Sequence, residues 1–141
     1  MKEYLLTTAI LTTFFVYQPA FAYESHDKPA TEVIVVLKAT TAPEALAEIQ
    51  AGIKSVGEMV NDGKLDGVHV EIEKIEAASK VIKEKAAVDG NKKTRLEAAI
   101  KQFNTQIGKV HIAADGKDAK KTKVEFKKAE GALKLVESAL K

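Results

Sequence analysis

From Thr41 onward the apolar residues recur every three or four positions, in four runs separated by Asn, Asp and Gly. That period puts them on one face of a helix and is incompatible with a strand, whose faces alternate every second residue. The first run carries Leu46, Ile49, Ile53, Val56 and Val60 and breaks at Asn61-Asp62-Gly63. The second carries Leu65, Val68, Ile72, Ile75, Ser79 and Ile82 and is expected to end at Asp89-Gly90-Asn91. The third carries Leu96, Ile100, Phe103, Ile107, Val110 and Ala114, ending at Asp115-Gly116. The fourth carries Thr122, Phe126, Ala129, Leu133, Val136 and Leu140 and can be capped by Asp118. Thr41-Ala42-Pro43-Glu44 has the form of a capping box: a hydroxyl for the orphan amides, a glutamate three residues on, and proline in the first turn.

A helix with a single apolar stripe must bury it, and short connections oblige consecutive helices to pack antiparallel. The expected fold is therefore all-α, an up-down-up-down antiparallel four-helix bundle over residues 41–141. Small residues on one flank of the stripes, such as Ala45, Gly52, Ala99, Ala113, Ala132 and Ala139, let neighbouring helices approach closely. On the other flank, antiparallel pairing sets Lys83 of helix two opposite Glu97 of helix three. Such a pair contributes only a few tenths of a kcal/mol, but it helps to set the register. In that register His69, near the start of helix two, stands level with His111, near the end of helix three. The opposite winding of the bundle turns His69 away from helix three. The Lys83–Glu97 complement favours the winding that brings the two imidazoles together.

Two imidazoles at one level form a candidate site for Cu(II), Zn(II) or Ni(II), with Glu73, one turn along from His69, as a third ligand. The alternative is a pair of half-exposed interface histidines, one of them donating to a carboxylate. Charge divides unevenly between the halves of the bundle. Residues 42–91 hold six Lys against ten Asp and Glu, and residues 92–141 hold thirteen Lys and Arg against six. Either the basic half offers a face to an anionic partner, or the two halves attract each other and Lys120, Lys127, Lys134 and Lys141 form a solvated outer stripe. Nucleic acid is not the expected partner, because Arg95 is the lone guanidinium and no aromatics interleave the lysines.

The residues before the bundle read as an address. Lys2 precedes an apolar stretch from Leu5 to Tyr17 broken by four threonines, and Ala20-Phe21-Ala22 then supplies the small residues a signal peptidase requires. Residues 1–22 are thus expected to be a cleaved secretory signal, too short and too rich in threonine to span a bilayer. Cleavage after Ala22 leaves Tyr23 first, with no membrane insertion afterwards and a periplasmic location. Residues 23–40 form an extension. Its Tyr23–Ala30 part is polar, while Val33–Leu37 is a run of five apolar, mostly β-branched residues. Exposed alone, that run would be a patch that soluble proteins avoid. It can cover one end of the core, extend helix one backwards, or pair with a second copy of the chain.

No catalytic motif is present: no nucleophile elbow, glycine-rich phosphate loop, metalloprotease His-Glu pair or calcium-binding loop. The chain has no cysteine, which excludes a disulfide framework, thiolate metal sites, covalently attached haem and a cysteine nucleophile. Haem in the b-type manner would take a methionine from helix one and a histidine from helix four. Met59 lies on the flank away from His69, and helix four has no histidine.

Two stretches, GKLDGVHVEIEKIEAASKVI at residues 63–82 and AADGKDAKKTKVEFKKAEGALKLVESAL at residues 113–140, resemble those of small, uncharacterised bacterial periplasmic helical proteins associated with heavy-metal efflux systems. The resemblance carries the family's helix-two histidine onto His69 and implies a periplasmic address and a link to metal stress. It implies no activity. The function expected is that of a non-enzymatic periplasmic bundle, accessory to metal handling, that binds a metal ion or small ligand through His69 and His111. The alternative is a protein-interaction module without a ligand, using the Val33–Leu37 patch or the basic fourth helix toward a periplasmic protein or a second copy.

Overall fold

The structure, a computed structural model, describes residues 37–141, and these are helical without a strand among them. The expected signal sequence, the polar stretch to Ala30 and residues 31–36, with all of the apolar run but Leu37, lie outside the described residues. Four helices follow in order: α1 (Ala42–Asp62), α2 (Val68–Lys85), α3 (Gly90–Asp115) and α4 (Ala119–Ala139), with a 3-10 turn at Leu65–Gly67 leading into α2.

The capping box forms as expected. Thr41 Oγ1 accepts the Glu44 amide at 3.4 Å, and Glu44 Oε2 reaches back to accept the Thr41 amide at 3.0 Å. The same carboxylate oxygen also accepts the Thr40 amide and hydroxyl at 2.9 and 3.0 Å. Those hydrogen bonds, the Thr40 amide foremost, hold the Glu44 carboxyl below its usual range. At the other end, Gly63 takes a left-handed conformation with φ of 71°, a region that disfavours a side chain. The Lys64 amide then closes on the Met59 carbonyl at 2.9 Å. Asp118 caps α4 by accepting the Lys121 amide at 2.9 Å.

Two boundaries differ from the pattern read in the sequence. α2 stops at Lys85, and Asp89-Gly90-Asn91 opens α3 instead of closing α2. Ala86 turns extended, Ala86 and Val88 pack half-buried against the core, and the Asp89 carbonyl accepts the Lys92 amide at 3.1 Å. The burial of those two side chains outweighs one more turn of helix. In α1 the first buried positions are Ala42 and Ala45, and Leu46 packs only at the edge of the core.

The core is filled by the stripes the spacing defines. Ile49, Val56, Val68, Ile72, Ile82, Phe103, Ile107 and Val110 are wholly buried. α1 packs most extensively on α2 and α3 on α4, while α2–α3 and α1–α4 form thinner seams. Two buried hydroxyls satisfy themselves within their own helices: Ser79 donates to the Ile75 carbonyl at 2.9 Å and Thr122 to the Asp118 carbonyl at 2.7 Å. Glu125, almost buried on α4, is held below the usual carboxylate range chiefly by its hydrogen bond from Lys128, 2.8 Å away.

The expected Lys83–Glu97 ion pair does not form. Both residues are exposed and line the same groove, of about 690 Å³, between α2 and α3, and no ion pair joins those helices among the described residues. Two long solvated side chains gain too little from pairing to overcome the loss of their rotamer freedom.

Close approach of α1 and α2 rests on Gly52. A methyl group there would lie 2.7 Å from Cγ1 of Ile75, itself wholly buried. Gly52→Ala is therefore expected to lower stability by about 1–3 kcal/mol, since a packed core must move to admit the methyl group. Gly131 on the exposed face of α4 has nothing within 4 Å of the same position. Gly131→Ala is expected to raise stability by roughly 0.5–1 kcal/mol through backbone entropy. Urea unfolding of the two variants checks the opposite signs; two shifts of the same sign would contradict the close contact at Gly52.

Candidate metal centre

His69 occupies the first turn of α2, and His111 the last turns of α3. The expected partnership of these two residues is realised. Their ring centroids are 4.5 Å apart with planes tilted by 50°, and Nδ1 of His69 is in direct contact with Nε2 of His111. The packing that brings them together is local and apolar: Val68 and Val110, the residues just before each histidine, are wholly buried. Burying both valines turns the next side chain of each helix to the edge of the same seam.

Each histidine is followed four residues later by a carboxylate on its own helix face, Glu73 after His69 and Asp115 after His111. Nε2 of His69 lies 3.0 Å from Oε1 of Glu73, and Nε2 of His111 lies 3.3 Å from Oδ2 of Asp115. The second Glu73 oxygen is buried without a partner among the described residues. The side chains of His69 and His111 are 43% and 27% exposed and that of Asp115 61%, so the site is open to solvent.

This geometry assigns different tasks to the two carboxylates. One donor atom each from His69, His111 and Asp115 falls within 4.8 Å of the others, the span of a single ion's ligands. Glu73 is not in that set. It sits behind His69, on the ring nitrogen that points away from His111, and the carboxylate grouped with the two histidines is Asp115 instead of the expected Glu73. A proton donated from Nε2 of His69 to Glu73 leaves Nδ1 with its lone pair directed at His111. A carboxylate behind a ligating imidazole fixes its tautomer and its ring orientation.

Two ring nitrogens in direct contact share one proton, and a metal ion, which needs about 2.0–2.1 Å to each nitrogen, enters only when the two rings move apart. A neutral pair is satisfied when His111 donates its Nε2 proton to Nδ1 of His69. When His111 carries its proton on Nδ1 instead, both facing nitrogens and the Asp115 oxygen become donors to a cation. Two imidazoles and a carboxylate form a borderline ligand set suited to Zn(II), Cu(II) or Ni(II). The C-terminal end of α3 adds the negative end of its helix dipole.

Asp115 reads in the sequence as a helix-ending residue, and its place beside His111 is a finding of the structure. The signal was the His-x-x-x-Asp spacing, which places both side chains on one face. Close by, Lys117 leaves the helix with a positive φ of 52°, and its Nζ lies 3.5 Å from Oδ1 of Asp66, tying the turn after α3 to the 3-10 turn before α2. No family model, curated protein or solved structure matches the chain.

Proposed function

We propose that this protein is a non-enzymatic, exported helical bundle that binds a divalent transition metal through His69, His111 and Asp115, with Glu73 orienting His69. The observation that carries the reading is the convergence of those three donor atoms from two different helices within 4.8 Å. Two histidine-bearing turns that meet only through the tertiary fold, each backed by its own carboxylate, are more than two scattered surface imidazoles. The link to metal stress in the periplasm rests on the two resembling stretches at residues 63–82 and 113–140. The export address rests on Leu5–Tyr17 followed by Ala20-Phe21-Ala22, with Tyr23 the first residue after cleavage. Among the described residues no helix is long and apolar enough to cross a membrane.

The topology we assign is the up-down-up-down antiparallel bundle. The packing of α1 on α2, α2 on α3, α3 on α4 and α1 on α4 supports it. So does the meeting of His69, at the start of one helix, with His111, near the end of the next.

Calorimetric titration of the purified protein with zinc, copper(II) and nickel tests the metal reading. One equivalent is expected to bind to at least one of the three ions with a dissociation constant below ~100 μM. Absence of a saturable heat at that concentration for all three would overturn it. That outcome would favour an interaction module. Its best surface is the outer face of α4, where Val124 and Leu135 stand 53% and 46% exposed, three helical turns apart.

A further inference from the structure

We infer that a metal ion at this centre acts as a clasp: it closes the seam between the α1–α2 pair and the α3–α4 pair, so that occupancy sets how firmly the two halves of the bundle are held together. The inference rests on the metal-binding reading above and adds a conformational consequence to it.

The ligands straddle the weakest line of the fold. Packing is densest within α1–α2 and within α3–α4, and thinner between α2 and α3 and between α1 and α4. Polar contacts across the α2–α3 seam are also sparse. Among the described residues the His69–His111 contact is the one side-chain hydrogen bond between those helices. Across the α1–α4 seam Gln50 Nε2 donates to Glu137 Oε1 at 2.7 Å. Away from the histidines, the α2–α3 seam is flanked by the groove that Lys83, Glu97, Lys101 and Asn104 line. There Oδ1 of Asn104 is buried without a partner. What remains to draw the halves together is the thin apolar contact, the solvent-exposed Lys117–Asp66 ion pair between the turns beside the seam and the opposite net charge of residues 42–91 and 92–141. The charge attraction is diffuse and screened by salt.

A metal changes this balance because it draws its ligands from both halves. His69 belongs to the first half and is braced there by Glu73; His111 and Asp115 belong to the second. Coordination is complete only when the seam is closed, so binding free energy and closure are linked and reciprocal. The stiffness of the two helices carries the effect along the seam. Lys83 lies fourteen residues beyond His69, about 20 Å along the helix.

The absence of cysteine makes the test clean. Lys83→Cys and Lys101→Cys, both exposed and outside the ligand set, carry one nitroxide label each, with both thiols blocked by the labels. Zinc is titrated into the labelled protein, with calorimetry on the same sample. The interlabel distance distribution is expected to narrow by about half on addition of one equivalent of zinc. The same labels in a His111→Ala background are expected to show no change. Zinc bound by calorimetry with an unchanged distribution would overturn the clasp and leave the metal site standing. Absence of zinc binding would overturn both. Narrowing that persists in the His111→Ala background would also sink the clasp, since the ion would then be acting elsewhere.

Discussion

Zinc is expected to stabilise the unmodified protein, and His111→Ala to abolish that stabilisation. With zinc at about a hundred times its dissociation constant, binding to the folded state alone adds roughly 2.7 kcal/mol. For a domain of about a hundred residues that corresponds to a rise in thermal midpoint on the order of 10–20 °C. His111 supplies the nitrogen that faces both His69 and Asp115, so its loss leaves no two remaining donors bridged by a third. Glu73→Gln is expected to act more mildly, weakening zinc by about 10–100-fold, because it loosens the orientation of His69 without removing a donor. Thermal unfolding followed by circular dichroism, with and without zinc, checks both. A midpoint that rises equally in His111→Ala and in the unmodified protein would place the bound zinc at another site.

Phe103→Ala is expected to have the largest effect on the fold itself. Among the described residues Phe103 is the largest wholly buried side chain, and truncating such a residue costs about 3–5 kcal/mol, the transfer loss adding to a cavity that four helices can only partly close. The thermal midpoint should fall by roughly 15–30 °C, leaving a domain near the edge of the stability typical of its size. Leu135→Ala provides the contrast. Leu135 is 46% exposed on α4, and its loss is expected to change stability by no more than about 0.5 kcal/mol. A Phe103→Ala midpoint within about 5 °C of the unmodified protein would mean that the core is not packed around this ring.

Much of this architecture is written in local signals. The capping box at Thr41–Glu44, the Gly63 stop and the Asp118 cap depend on a few neighbouring residues and were legible as such. The buried stripes of α2, α3 and α4 follow the 3.6-residue period and needed no knowledge of their neighbours. Where a boundary or a buried position departs from that period, a non-local contact decides it. Ala86 and Val88 leave the helix because the core accepts them. Leu46 lies at the edge of the core because α1 buries Ala42 and Ala45 at its start instead. The candidate site shows the same division. His69 and His111 were placed level by a register built on Lys83 and Glu97, and the histidines meet although that ion pair does not form.

The sequence by itself determined which face of each helix is apolar, where most helices start and stop, and that each of two histidines carries a carboxylate one turn away. These are properties of a single helix, governed by torsion angles and by side chains four residues apart. Only the tertiary structure decided which flank of α2 turns toward α3, and with it that the two imidazoles share a seam. It also decided that Asp115 rather than Glu73 stands with the two histidines in a cluster that could hold an ion. Both depend on how buried side chains such as Val68 and Val110 pack together, and packing is settled by the shapes of residues distant in the chain, which no periodicity along it records.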